Sequence, residues 1–343
     1  MDILANRRLA QALLVVLIMV FIQVVIGGIT RLTESGLSIT RWEVVSGSLP
    51  PLSETAWQHA FEHYKTSPQY RNVNEGMSLQ DFKYIYFWEW LHRFWGRWGF
   101  VALLGIMTWF WLKKQLNALQ RNRFVILLLL YAAQGLLGWV MVQSGLVDVP
   151  RVSHYRLAAH LLLALFLFSY LLWWIADLLT PSGKKIINHK LAQNTNILIV
   201  FTVIQILYGA FMSGLRAATH YPTYPLMNGQ IIPDGLFKLS PFFNNFTENI
   251  TTIQFIHRSL ALVVLVLVFW VWQAAAKNIM PNTTAKIAVK ALPWLVILQV
   301  LLGVTTLLLS VNEVPVFWGV AHQAGGLILL SAILFIRFHV VKN

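Results

Sequence analysis

The 343-residue chain contains no cysteine. Disulfides, thiolate metal sites and thiol nucleophiles are therefore excluded. Acidic residues are scarce as well: 13 Asp and Glu stand against 26 Lys and Arg. All charged residues together make up 11% of the chain, about half the share usual in a soluble domain, while 57% of it is hydrophobic. The first apolar run ends in "IGGITRLT" with no small-x-small cleavage site, so it reads as a retained span and not a signal peptide. A mean hydropathy of +0.62 completes the picture of a polytopic membrane protein.

What is present is a series of long apolar runs. An α-helix needs about 20 apolar residues to cross the hydrocarbon core, and eight such runs occur: 9–29, 85–112, 122–145, 153–178, 192–215, 252–276, 286–311 and 315–338. In an eight-span arrangement the basic clusters share one side: Arg7 and Arg8, Lys113 to Arg123, Lys184 to Lys190, Lys277 to Lys290, then Arg337 and Lys342. The positive-inside rule puts that side, with both termini, in the cytoplasm. Most of the acids, including Glu34, Glu43, Glu54, Asp81, Asp148, Asp234 and Glu313, fall in the opposite loops. The net charge of +13 is thus a topology signal, and nucleic acid is not an expected partner.

The sequence repeats itself. Gln-x-x-x-Gly occurs in the first, third, fifth and seventh runs, as Gln23/Gly27, Gln134/Gly138, Gln205/Gly209 and Gln299/Gly303. "LHR" at 91–93 and "IHR" at 256–258 share one offset with "DVP" at 148–150 and "EVP" at 313–315. These landmarks predict two tandem four-helix bundles, residues 1–180 and 181–343. With an even number of spans each, the halves should be related by a parallel pseudo-twofold.

Histidines sort by position. His59, His63, His189, His220 and His339 fall in loops or at a span end, and His154 sits at the mouth of the fourth run. His92, His160, His257 and His322 instead lie in the second, fourth, sixth and eighth runs, about 5–8 residues after each begins, which places them at one depth. Two repeat-related pairs at one depth form a ligand pattern. Four neutral imidazoles could hold copper or zinc, but the flat, apolar surroundings suit a macrocycle better. Bis-His haem ligation, one site per half, is the expectation. Gly96, one turn from His92, would leave room for the ring, and Arg93, Arg97 and Arg258 are the candidate propionate contacts. Arg97 could equally reach a phosphate or a carbonyl.

One residue breaks the symmetry. In "YFWEWLHRFWGRWGF" (86–100) Glu89 precedes His92 by one turn, whereas Gln254 occupies the matching place before His257. Intramembrane charges usually have a partner and a task. Glu89 reads either as a proton-transfer group or as a buried carboxylate paired with Arg93 or a loop arginine.

At these residues the chain resembles the haem A synthases. The likeness rests on "GGITRLTESGLSITRWEVVSGSLPPL", "EWLHRFWGR", "DVPRVSHYRLAAH", "FIHR" and "AHQAGG", spread over nearly the whole chain. It is closest to the mitochondrial and proteobacterial branch, which lacks a loop cysteine pair. The resemblance implies an oxidoreductase that converts the methyl group of haem O to the formyl group of haem A by successive hydroxylations. It implies a resident haem b on His257 and His322, substrate haem on His92 and His160, and Glu89 as the catalytic acid. Haem O synthase and the cytochrome oxidase assembly machinery are the implied partners, besides membrane lipid. With no transit peptide before the first span, a bacterial inner membrane is the expected location.

A di-haem electron carrier and a haem carrier are the competing readings, and neither calls for an acid in one half only. The loop 31–82, with Trp57, Phe61 and Tyr64 on one helical face, is expected to lie on the membrane surface. It either caps the substrate site or seals the bundle, and the turn-rich 216–249 loop is its counterpart. Gly27 and Gly28 offer a small-residue face for homo-oligomers.

Overall fold

A computed structural model describes residues 3–40, 49–145, 150–180, 185–278 and 285–341. Glu43, Asp148, Val149, Lys184 and Lys342 lie outside these. The described chain is helical almost throughout: α1 (Ile3–Leu32), α2 (Glu54–Lys65), α3 (Pro68–Asn72), α4 (Leu79–Leu112), α5 (Ala118–Gly145), α6 (His154–Leu179), α7 (His189–Gly214), α8 (Ile250–Asn278), α9 (Ala285–Leu308) and α10 (Val316–His339). Two short strands, β1 (Ile186–Ile187) and β2 (Val340–Val341), pair in parallel.

Among the described residues, seven helices are long and apolar enough to cross a membrane: α1 and α5 to α10. The chain is therefore a multi-pass, all-α membrane protein. The remaining expected span, α4, is one unbroken helix of 34 residues. Asp81, Lys83, Glu89, Arg93 and Arg97 take it out of the strongly apolar class.

Helix ends follow local chemistry. Ser53, Ser67 and Ser78 accept from the backbone N–H three residues on, starting α2, α3 and α4, and Asn188 does the same for α7. Within the apolar helices, hydroxyls are satisfied one turn back: Thr195 on the Leu191 carbonyl, Thr202 on Leu198, Thr306 on Leu302 and Ser331 on Leu327. In a medium without water this is the cheapest solution for a polar side chain.

The chain forms two compact units, residues 15–167 and residues 1–14 with 168–343. In the second, α7 to α10 pack a core of small and branched residues, among them Val268, Val271, Ala275, Leu292, Ile333 and Ile336. At one end of that bundle the β1–β2 pair ties the chain end down. There Arg337 donates to Asn196 (2.6 Å) and to the Val340 carbonyl.

The first unit differs from expectation in one respect. The apolar face of α2 does not turn outward to a membrane surface. Phe61 and Tyr64 are buried against Phe82 and Ile85 at the start of α4, with Trp57 and Tyr86 edge-on at 5.0 Å. Phe61 and Tyr64 stack on Phe82 at 5.0 and 5.1 Å. This contact explains why α4 begins six residues before the expected span: its first two turns gain apolar burial outside any apolar run.

Candidate functional site

His92 lies on α4, thirteen residues from its start, because of the extra turns packed on α2. His160, His257 and His322 come six or seven residues into α6, α8 and α10. Each imidazole rests against the Gln-x-x-x-Gly turn of a neighbouring helix. A Cβ added to Gly27, Gly138, Gly209 or Gly303 would meet the Cε1 of His92, His160, His257 or His322 at 3.0, 3.1, 3.3 or 2.7 Å. Glycine is needed at these positions because any side chain would occupy the seat of the ring.

The glutamine four residues earlier holds the same histidine. Gln23, Gln134 and Gln299 donate from Nε2 to the backbone carbonyls of His92, His160 and His322 at 3.1, 3.0 and 2.9 Å. The amide nitrogens of Gln23, Gln205 and Gln299 also lie 3.1, 3.3 and 3.2 Å from the Nδ1 of His92, His257 and His322. Gly96, offered above as room for a macrocycle, faces the Gln23 amide: its Cβ would lie 3.4 Å from that nitrogen. Gly27, offered as part of an association face, faces His92. In both cases a side chain of the adjoining helix is the nearest protein neighbour.

The His257 and His322 rings stand 6.4 Å apart between centroids with their planes at 79°. A metal–imidazole bond is about 2 Å long. Adding about 1 Å from nitrogen to ring centre, two imidazoles on one iron have centroids about 6 Å apart. The C-terminal pair thus fits a bis-His haem iron. Among the described residues no three His, Asp or Glu side chains converge as a small-ion site would need. A macrocycle held by two imidazoles fits the donor set better.

Glu89 is buried, and both of its oxygens are engaged. Oε1 accepts from Arg93 (2.6 Å), and Oε2 accepts from Ser38 Oγ and the Ile39 N–H, both at 2.7 Å. Arg93 also donates to the Ile39 carbonyl at 3.1 Å. The equivalent pair in the other unit does the same with opposite polarity. Gln254 and Arg258 both donate to the Tyr221 carbonyl, at 3.0 and 2.6 Å. A carboxylate occurs where the loop presents donors, and an amide where it presents an acceptor. Arg93 and Arg258, expected at propionates, thus spend donors on loop backbone. Being one residue past the histidine, each points about 100° away from its face. The Nε of Arg258 remains buried without a partner. Arg97 is half-buried one turn beyond Arg93. His154, at the start of α6, packs its ring 4.1 Å from Tyr155.

Ser38, Ile39 and Tyr221 are site residues that sequence reasoning missed. Two of the three contacts are made through backbone groups, which every residue carries, so composition offers no signal for them. The Gln-x-x-x-Gly pairs were visible as a repeat, but their role as histidine seats was not.

Residues 10–334 match the model of a family described as cytochrome oxidase assembly protein. The chain is 42% identical over 326 residues to a heme A synthase of Parvibaculum lavamentivorans, covering 95% of this chain and 92% of that protein. It is 42% identical over 337 residues to one of Nitrosospira multiformis, covering 97% and 93%. A heme A synthase of Flavobacterium psychrophilum is 42% identical over 317 residues, covering 91% and 92%.

Proposed function

The chain belongs to the cytochrome oxidase assembly protein family, and on that footing we propose that it is a haem A synthase. As an enzyme of haem A biosynthesis it would oxidise the methyl group of haem O to a formyl group, a four-electron change through two hydroxylations and loss of water from the geminal diol, with the oxidant and the oxygen atom supplied from outside the chain. One observation carries the reading: two histidine pairs, each ring seated on a glycine turn, with the C-terminal pair spaced for one iron.

His92 and His160 bind the iron of the substrate and so fix the porphyrin plane. His257 and His322 hold the resident group. Haem b, when bound there, supplies electron transfer. Arg97, the Nε of Arg258 and the further nitrogens of Arg93 would be the donors for propionates, Arg93 Nη2 being engaged by Glu89 and the Ile39 carbonyl. Glu89 is the acid of the substrate half: through Ser38 and Ile39 it holds the chain segment after α1 beside His92, and the Arg93 guanidinium keeps a positive charge next to it. Oε2 is filled by Ser38 and Ile39, while Oε1 accepts one bond from Arg93 and keeps a lone pair with which a proton could be exchanged.

The reading includes α4 as an eighth span, parallel four-helix halves at 1–180 and 181–343, and an inner-membrane location. Both termini are cytoplasmic and the histidine level lies toward the periplasm. Haem O synthase and the oxidase assembly machinery are the partners that would supply substrate and take product.

The test is to co-express the protein with a haem O synthase, extract its haems, and separate them by chromatography and mass beside Glu89→Gln. Wild type should yield haem b with haem A or its hydroxylated precursor, and the variant haem b without the oxidised species. Haem b alone, or unchanged haem O, in both proteins would overturn the synthase reading in favour of an electron carrier or haem carrier.

A further inference from the structure

The four imidazoles share a seat but differ in what their Nδ1 meets. When iron takes Nε2 of a histidine, Nδ1 carries the proton. An acceptor for that N–H fixes the tautomer, stops the ring from turning and makes it a stronger ligand. In the C-terminal unit His322 has such an acceptor: its Nδ1 lies 3.2 Å from the Gln299 backbone carbonyl, with the Gln299 amide nitrogen also at 3.2 Å. His257 Nδ1 meets the Gln205 amide nitrogen at 3.3 Å. The glycine makes the carbonyl contact possible. A helical carbonyl normally serves only the N–H four residues on, which here belongs to Gly303. The missing Cβ lets an imidazole lie on that turn and share the carbonyl.

In the N-terminal unit His92 matches its repeat counterpart His257: its Nδ1 is met at 3.1 Å by the Gln23 amide nitrogen. His160 does not match His322. The backbone of His160 is held by Gln134, but its Nδ1 is buried with no partner. A buried nitrogen without a partner is uncommon in a native interior. This one belongs to a ring whose main chain is fixed and whose tautomer is not.

We propose that His160 is the exchangeable axial ligand of the substrate half, the bond released when haem enters and leaves, while His92 is the ligand that retains it. This rests on the bis-His haem reading above. It accounts for one half holding its haem permanently and the other passing it on, although both seats are built from the same motif. The difference between the halves lies in the Nδ1 contacts of one ring, His160 against His322, not in the ligand set.

The experiment uses full-length protein, loaded by co-expression with a haem O supply, in four forms: wild type, His160→Gly, His92→Gly and His257→Gly. Haem content by mass, the spin state of each haem, and the response to carbon monoxide and to added imidazole are read on each. His257→Gly identifies the C-terminal signal by its loss and tests the underlying reading. The expected result is that His160→Gly keeps both haems, one of them now high-spin, binding carbon monoxide and returned to low spin by imidazole. His92→Gly loses the substrate-half haem and keeps haem b. Retained haem b is the folding control. If a glycine variant loses haem b too, His160→Met and His92→Met repeat the comparison with a ligand present, and only the former should keep the substrate-half haem.

The reverse pattern, or equal haem loss in the two variants, overturns the proposal and leaves the bis-His reading standing. Unchanged spectra and haem content in all three histidine variants overturn that reading, and the proposal with it.

Discussion

Glu89 and Arg93 face each other one helical turn apart at 2.6 Å, and both reach across to the backbone of Ile39. The pair is buried and works as a clip between α4 and the segment that follows α1. Its counterpart, Gln254 with Arg258, clips Tyr221 to α8 without any acid. A carboxylate in one half is therefore explained by the donors it must accept from, whatever chemistry it also performs.

Removing one member of the clip should be costly. Glu89→Gln leaves Arg93 without its counter-charge, and breaking a buried ion pair costs about 3–5 kcal/mol. Exposure of 33–40 in hydrogen exchange should rise in Glu89→Gln and in Arg93→Gln. The double variant should lose less stability than the two single losses summed, in a detergent-solubilised denaturation series. Strict additivity would mean that the two residues act independently.

Exchanging the polarity of the other clip should fail too. Gln254→Glu places a carboxylate against the Tyr221 carbonyl and loses a donated bond, worth about 1–3 kcal/mol when a buried acceptor is left unmatched. Proteolysis within 216–249 should accelerate while 31–82 is unaffected. Equal cleavage in both loops would point to general unfolding instead.

The four glycine seats predict a rank order. Alanine should be worst tolerated at Gly303, then Gly27, Gly138 and Gly209, following Cβ approaches of 2.7, 3.0, 3.1 and 3.3 Å. Overpacking of this kind costs about 1–3 kcal/mol. Haem-to-protein ratios of the four Gly→Ala variants measure it, with Gly209→Ala expected nearest to wild type. A flat series would show that the rings shift freely.

Tyr64 makes the contact between α2 and α4 sensitive to alkali. Burial pushes its phenol up to about 12, while the hydrogen bond from Asn74 pulls the other way. A raised value means that the fold favours the neutral phenol. Its contribution is complete below the ordinary value of 10.0 and is lost as pH rises from there through about 12. Cleavage within 54–74 should therefore increase over that window in wild type and stay flat in Tyr64→Phe.

The long apolar runs, the basic clusters and the helix-borne histidines were all legible residue by residue. Burial in lipid acts on each side chain separately, so composition along the chain carries it. Seven of the eight expected runs are strongly apolar helices, and the four histidines fall on α4, α6, α8 and α10. The family also was readable from short motifs such as "EWLHRFWGR" and "AHQAGG", since each surrounds one of the repeated histidines.

Contacts between elements were not legible in this way. The sequence by itself determined that four imidazoles lie within apolar helices and that Gln and Gly recur beside them. Only the tertiary structure decided that each glycine is the seat of a ring, that Glu89 answers Ser38 and Ile39, and that the Nδ1 of His322 has an acceptor where that of His160 has none. These are contacts between elements, and those of Ile39 and Gln299 run through backbone groups. A carbonyl is the same at every position in a sequence, and which one a side chain meets depends on how the helices pack.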